Sequence, residues 1–223
     1  YVQWLGSVMG PTPNPDPNAE EHVEPWPGGR FNHNLFDLNR DWAFLTQPES
    51  QARARAYREL LPQVHVDFHE MYPDSSYFFF PAAAPVNSNL PRHIARWGEV
   101  FGAGNAAAFD RHAWPFYTAE DFDLFYPGYG DAWPSFNGAI GMTYEQAGHS
   151  PAGTAILRED GELLTLRDRV AHHFTAALAT VETAARHRDA LLADFARFFE
   201  DAIWEGNNGA ERAFVLVPGR DPD

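Results

Sequence analysis

The chain has 223 residues, 44% hydrophobic and 15% aromatic, which is enough for one large domain with a substantial core. Its 31 acidic and 16 basic residues give a formal charge of -15, which repels a phosphate backbone or an anionic bilayer and argues against nucleic acid or membrane as partner. With no Cys, disulfides and thiolate metal sites are excluded, so any metal must be held by His and carboxylates.

Residues 10 to 30, GPTPNPDPNAEEHVEPWPGGR, carry repeated Pro, Asn, Asp and Gly and predict a long loop. The following LFDLNRDW, residues 35 to 42, alternates as a strand does and places Asn39 and Arg40 near a strand end. Arg40 has two readings there. It can pair at the surface with Asp37 and Asp41, a contact of little worth, or its planar fork can grip a carboxylate.

The pattern then predicts a helix from Pro48 to Leu61, closed by Pro62, and a strand over VHVDF, residues 64 to 68, stopping at His69 and Glu70. A second helix is expected from about Pro91 to His112, capped by Asn89, with Ile94, Trp97, Phe101, Ala108 and Phe109 toward the core. Residues 124 to 138 are rich in aromatics and Gly and read as a loop folded over something. AIGMTYE, residues 139 to 145, is a short strand. One very long helix or two consecutive ones follow, with Leu166, Val170, Phe174, Leu178 and Val181 on one stripe. The terminal AFVLVPGRDPD reads as a further strand, and a chain that starts at Tyr1 reads as an excerpt. Strands interspersed with helices give an α/β class with a mixed sheet flanked by helices.

In such sheets reactive groups gather beyond the carboxyl ends of strands, where His69 and Glu145 are expected to fall. A neutral imidazole can ligate zinc, and a carboxylate can take a proton from water as general base. Each residue also has a plain reading as a hydrogen-bonded structural group.

DLNRDW, VDFHE and MTYEQAG, in that order, resemble the motifs of the metallocarboxypeptidase family of zinc peptidases, the funnelins. The resemblance implies an α/β/α sandwich, with residues 1 to 205 as the C-terminal part of a catalytic domain and 206 to 223 as a linker and the first strand of a following region. It implies Asn39 and Arg40 as the grip on a substrate's C-terminal carboxylate, His69 as one zinc ligand, Glu145 as general base and Arg30 as the group that polarises the scissile carbonyl. A mobile tyrosine of the family falls on Tyr126, with Tyr129 competing. Asp131 is placed at the base of the pocket for the terminal side chain, where it favours a basic group.

The family's upstream His-x-x-Glu zinc motif is absent from these 223 residues. The expectation is that the excerpt begins after that motif. It is then inactive by itself, while an N-terminally extended protein hydrolyses C-terminal peptide bonds with one Zn2+ ion. The resemblance further implies a secreted or periplasmic protein. Two other readings stay open: a related zinc amidohydrolase acting on acylated amino acids or cell-wall peptides, and a non-catalytic module that binds carbohydrate or peptide. Glycoside hydrolysis by Glu70 and Glu145 rests on residue type alone.

Overall fold

The computed structural model describes residues 2–8, 10, 12–148, 153–211 and 213. Helix α1 (Val2–Val8) is followed by the expected long loop, which contains one short 3-10 turn at Glu20–His22. Next come α2 (Pro48–Leu60), β1 (Val64–Met71), β2 (Tyr77–Phe78), β3 (Ala83–Val86) and α3 (Arg92–Asp110). Strands β4 (Phe116–Tyr117) and β5 (Asp123–Leu124), the short α4 (Ala132–Phe136) and β6 (Ile140–Ala147) complete the middle of the chain. The last elements are β7 (Ala155–Leu157), β8 (Leu163–Thr165), α5 (Leu166–Arg186) and α6 (Arg188–Asn208). The expected C-terminal strand lies outside the described residues.

The main sheet is mixed, in the order β1-β6-β2-β4. β1 and β6 run parallel and in full register from Val64 opposite Ile140 to Met71 opposite Ala147, while β2 is antiparallel to β6 and parallel to β4. Period-two alternation then sorts the side chains. Val64, Val66, Ile140, Met142 and Tyr144 enter the larger core with Ile94, Trp97, Phe101 and Phe109 of α3 and Ala176 of α5. His65, Asp67, His69, Gly141, Thr143 and Glu145 have the opposite parity and face the side of α2 and α4. There Trp42, Tyr57 and Trp133 form a smaller aromatic cluster that His65 joins edge-on. Helices therefore cover both faces of a mixed sheet, the α/β arrangement expected.

All five residues expected on the buried face of α3 are buried. Asn89 is not its cap: Pro91 is the N-cap, and the amide of Asn89 instead donates to Asn87 Oδ1 at 3.0 Å, a local turn of the kind Asn side chains favour. α2 ends at Leu60, with Leu61 as a left-handed C-cap. At its other end the buried Asp41 accepts from the amides of Thr46 and Gln47, both at 2.9 Å, and from the Thr46 hydroxyl.

The strand expected over LFDLNR does not form. Asp37 turns its carboxylate onto the amide of Asn39 at 2.9 Å and caps a 3-10 turn over Leu38–Arg40, because an Asp side chain offers the backbone a nearer partner than a neighbouring strand. The helical C-terminal region is two helices, broken at His187. The stripe Leu166, Val170, Phe174, Leu178 and Val181 lies on the exposed face of α5. α5 buries its small residues instead, Ala176, Ala179, Thr180 and Thr183, and the contact with α3 is close enough that a Cβ at Gly104 would sit 2.3 Å from Thr183 Oγ1.

Candidate functional site

β1 and β6 extend past the ends expected from sequence, so His69 and Glu145 lie inside paired strands and not at strand ends. Parallel register sets them directly opposite one another, with side chains on the α2/α4 side of the sheet. Above them the turn at residues 38 to 40 and the loop at 126 to 131 close a cleft of about 280 Å³.

Asn39 fastens these parts together. Its amide donates to Asp67 Oδ2 at 2.9 Å, and its carbonyl accepts from the amide of Gly130 at 2.9 Å and from Trp42 Nε1 at 3.2 Å. The packing is tight, since a Cβ at Gly130 would lie 2.1 Å from Asp67 Oδ2. Asp67 Oδ2 is also 2.7 Å from His69 Nε2. Burial works against the charged form of Asp67, but the hydrogen bonds from His69 and Asn39 and the charge of His69 outweigh it and hold its pKa below the ordinary value. With an ionised acceptor, Nε2 of His69 carries the proton. The 2.9 Å approach of Asn39 Nδ2 to Nε2 is then two donors converging on one carboxylate oxygen. Burial likewise opposes a charged His69, and Asp67 together with Glu145 reverses that and raises its pKa.

Glu145 is 7% exposed, and its carboxylate has no hydrogen bond or ion pair among the described residues. Burial is the largest cause that pushes its pKa up to about 7, with Asp67 and Asp131 adding to it and His69 and Arg30 opposing. A carboxylate in that state can accept a proton near neutral pH and hand it on.

Both arginines expected at the site line the cleft. Arg30 donates from Nε to Asp37 Oδ2 at 2.8 Å, with Nη2 at the same distance. Arg40 is only loosely tied to Asp37, at 3.9 Å; its Cζ lies over the Tyr129 ring, 4.4 Å from the centroid, and its side chain is 46% exposed. Asp41 is spent on Thr46 and the amide of Gln47, just ahead of α2. The guanidinium of Arg40 is thus backed by an aromatic face and lacks a close acidic partner, an arrangement open to an incoming carboxylate.

Tyr129 lines the cleft; Tyr126 stands behind it, its hydroxyl donating to the Arg40 carbonyl at 3.2 Å and its ring edge-on to Tyr129. Asp131 is 2% exposed at the cleft floor and accepts from the amide of Ala132 at 2.6 Å and the hydroxyl of Thr143 at 2.8 Å. Burial raises its pKa to about 6, against the pull of those hydrogen bonds. Asp121, Phe122 and Asp123 also line the cleft.

Sequence reasoning brought Arg30, Asn39, Arg40, His69, Asp131 and Glu145 forward, and they converge on this one cleft. It passed over Asp67, although period two in VHVDFHE places Asp67 and His69 on one face. The segment at 121 to 123 carried no signal, because only the tertiary fold brings it to the cleft.

The residues described do not by themselves fit a zinc ion. No group of three His, Asp or Glu side chains placed to hold a metal occurs among them, whereas a catalytic zinc takes three protein ligands. His69 moreover directs its Nε2 proton to Asp67, leaving that nitrogen without a lone pair to donate.

No family model matches the chain, and no curated protein matches it. Among solved structures, a metallo-carboxypeptidase from Burkholderia cenocepacia is similar at 16% identity and a TM-score of 0.46, over 76% of this chain and 40% of its own. A metallo-carboxypeptidase from Pseudomonas aeruginosa, in complex with (2-guanidinoethylmercapto)succinic acid, is similar at 16% identity and a TM-score of 0.46, over 73% and 42%. Thrombin activatable fibrinolysis inhibitor is similar at 16% identity and a TM-score of 0.44, over 63% and 36%. The chain spans less than half the length of each. Among the described residues, no helix is long and apolar enough to cross a membrane.

Proposed function

We propose that this cleft belongs to a hydrolase that removes the C-terminal residue of a peptide, with Arg40 gripping the substrate's terminal carboxylate and Glu145 moving the proton. The observation that carries the reading is the pairing, in one cleft, of a guanidinium without a close counter-ion and an unpartnered carboxylate whose pKa stands at about 7.

In this reading the terminal carboxylate takes two parallel hydrogen bonds from Arg40, which is backed by Tyr129. Asn39 holds Asp67, His69 and the loop at Gly130 in place around it. Glu145 accepts a proton from the attacking water and returns it to the leaving amine. Arg30, steadied by Asp37, faces the oxygen on which negative charge develops. Asp131, Asp121 and Asp123 favour a substrate with a basic group. Zinc enters this reading only with donors from outside the described residues, and the steps above are those of the chain's own side chains.

The test is release of C-terminal residues by the full-length protein, with Glu145→Gln compared to the parent and each peptide compared to its C-terminal amide. The expected result is a loss of about 10²- to 10⁴-fold in kcat for the variant and a strong preference for the free carboxylate. Equal turnover of amidated peptides removes the carboxylate grip; binding without turnover by a folded protein supplied with zinc leaves a binding module.

A further inference from the structure

A second cavity, of about 290 Å³, lies on the opposite face of the sheet from the cleft. Alternation along β6 puts Glu145 into the cleft and its neighbour Gln146 into this cavity. The walls are Trp114, the first turns of α5 with His172, and the β7–β8 hairpin with Arg158, Glu162 and Leu164.

The groups that meet there are chemically unlike and incompletely paired. Arg158 Nε is shielded from solvent and has no hydrogen-bond acceptor; Asp160 Oδ2 is 3.9 Å away and Nη2 reaches only the Ser75 carbonyl, at 3.4 Å. Nε itself is closed to a ligand, but the guanidinium lines the cavity and its side-chain hydrogen bond is a long one, so a carboxylate on its outer nitrogens is favoured. Glu162 is an exposed residue at the edge of the cavity, and its carboxylate has no hydrogen bond or ion pair among the described residues. Trp114 is fixed between His112, stacked at 4.3 Å, and His172, edge-on at 4.4 Å. His172 Nδ1 lies 2.8 Å from Gln146 Oε1, and burial lowers its pKa, so it presents a neutral ring. One cation, one anion left unpaired once the Asp168 carboxylate is taken by Thr165, and an aromatic wall, in a cavity near the lower size limit of small-molecule sites, describe a small zwitterion with an apolar body.

We propose that this second pocket binds a free α-amino acid with an apolar or aromatic side chain, its carboxylate on Arg158, its ammonium toward Glu162 and its side chain against Trp114. Such a molecule is also what the hydrolysis proposed above releases, but the pocket's groups argue for it independently of the cleft. An occupant would touch, through Gln146, the strand that carries Glu145.

The test is calorimetric titration of the full-length protein carrying Arg40→Ala, which removes the cleft's own carboxylate grip, with L-phenylalanine, 3-phenylpropionate and phenethylamine. L-phenylalanine is expected to bind with a Kd of about 1 mM, as a ligand of that size allows. Adding Arg158→Gln weakens it about tenfold or more, the value of a charge-assisted hydrogen bond. Adding Glu162→Gln weakens L-phenylalanine and leaves 3-phenylpropionate unchanged. Absence of saturable binding overturns the proposal, as does phenethylamine binding as tightly as L-phenylalanine; this last comparison needs no pocket variant, so it decides the matter even if Arg158→Gln fails to fold.

Discussion

Replacing Glu145 by Gln separates the stability of the cleft from its chemistry. In the fold the Glu145 carboxyl has a pKa of about 7 against an ordinary 4.5, chiefly because it is buried. The folded state therefore binds the proton more tightly than the unfolded chain does. This favours folding fully below the unfolded value and is lost as pH rises through the folded one, so ionised Glu145 destabilises the fold in alkali. The shift corresponds to a penalty of about 3 kcal/mol at pH 8 and about 1 kcal/mol at pH 5. Gln has nearly the same shape and no charge, so Glu145→Gln should relieve the penalty and stabilise the protein more at pH 8 than at pH 5. Urea unfolding of both proteins at the two pH values, with chelator present so that no metal ion contributes, measures this as a shift in midpoint of about 1 M at pH 8 and about a third of that at pH 5. A shift of the same size at both values, or a destabilised variant at pH 8, refutes the picture of a desolvated, unpartnered carboxylate.

Arg40→Ala in the full-length protein should raise KM and lower kcat for peptides with a free terminal carboxylate. The expected fall in kcat/KM is about 10- to 100-fold, and turnover of amidated peptides should stay unchanged; unaltered kinetics return Arg40 to the role of a surface charge. Asp131→Ala should change the ratio of C-terminal Lys to C-terminal Phe release, and an unchanged ratio removes Asp131 from the side-chain pocket. Asp41→Ala should cost about 3 kcal/mol at neutral pH, since three hydrogen bonds to an ionised carboxylate are lost. Burial opposes ionisation of Asp41, but the bonds from Thr46 and Gln47 prevail and lower its pKa. Its contribution is therefore complete above the unfolded value and fades as pH falls below about 4, where urea midpoints of variant and parent should converge.

The expected helices at Pro48 and Pro91, the strand at 64 and the strand at 139 were legible because their periodicity is set by local burial. The turn at Leu38–Arg40 was not, because one hydrogen bond from the Asn39 amide to the Asp37 carboxylate overrides a weak alternation. The stripe on α5 was misleading for a different reason. Periodicity reports that a face is apolar, whereas α5 meets α3 through small residues whose close approach outweighs the larger side chains left outside.

Chemical type could be read from the chain alone: an acidic, Cys-free α/β protein offering His and carboxylates, with Asn39-Arg40, His69 and Glu145 as the residues to watch. Tertiary structure decided what those residues face. Parallel register put Glu145 opposite His69, Asp67 accepted a hydrogen bond from His69, Asp41 was drawn onto the amides of Thr46 and Gln47, and Tyr129 came to lie beneath Arg40. Each of these outcomes depends on distance and desolvation between segments far apart in sequence, and neither quantity is written into residue order.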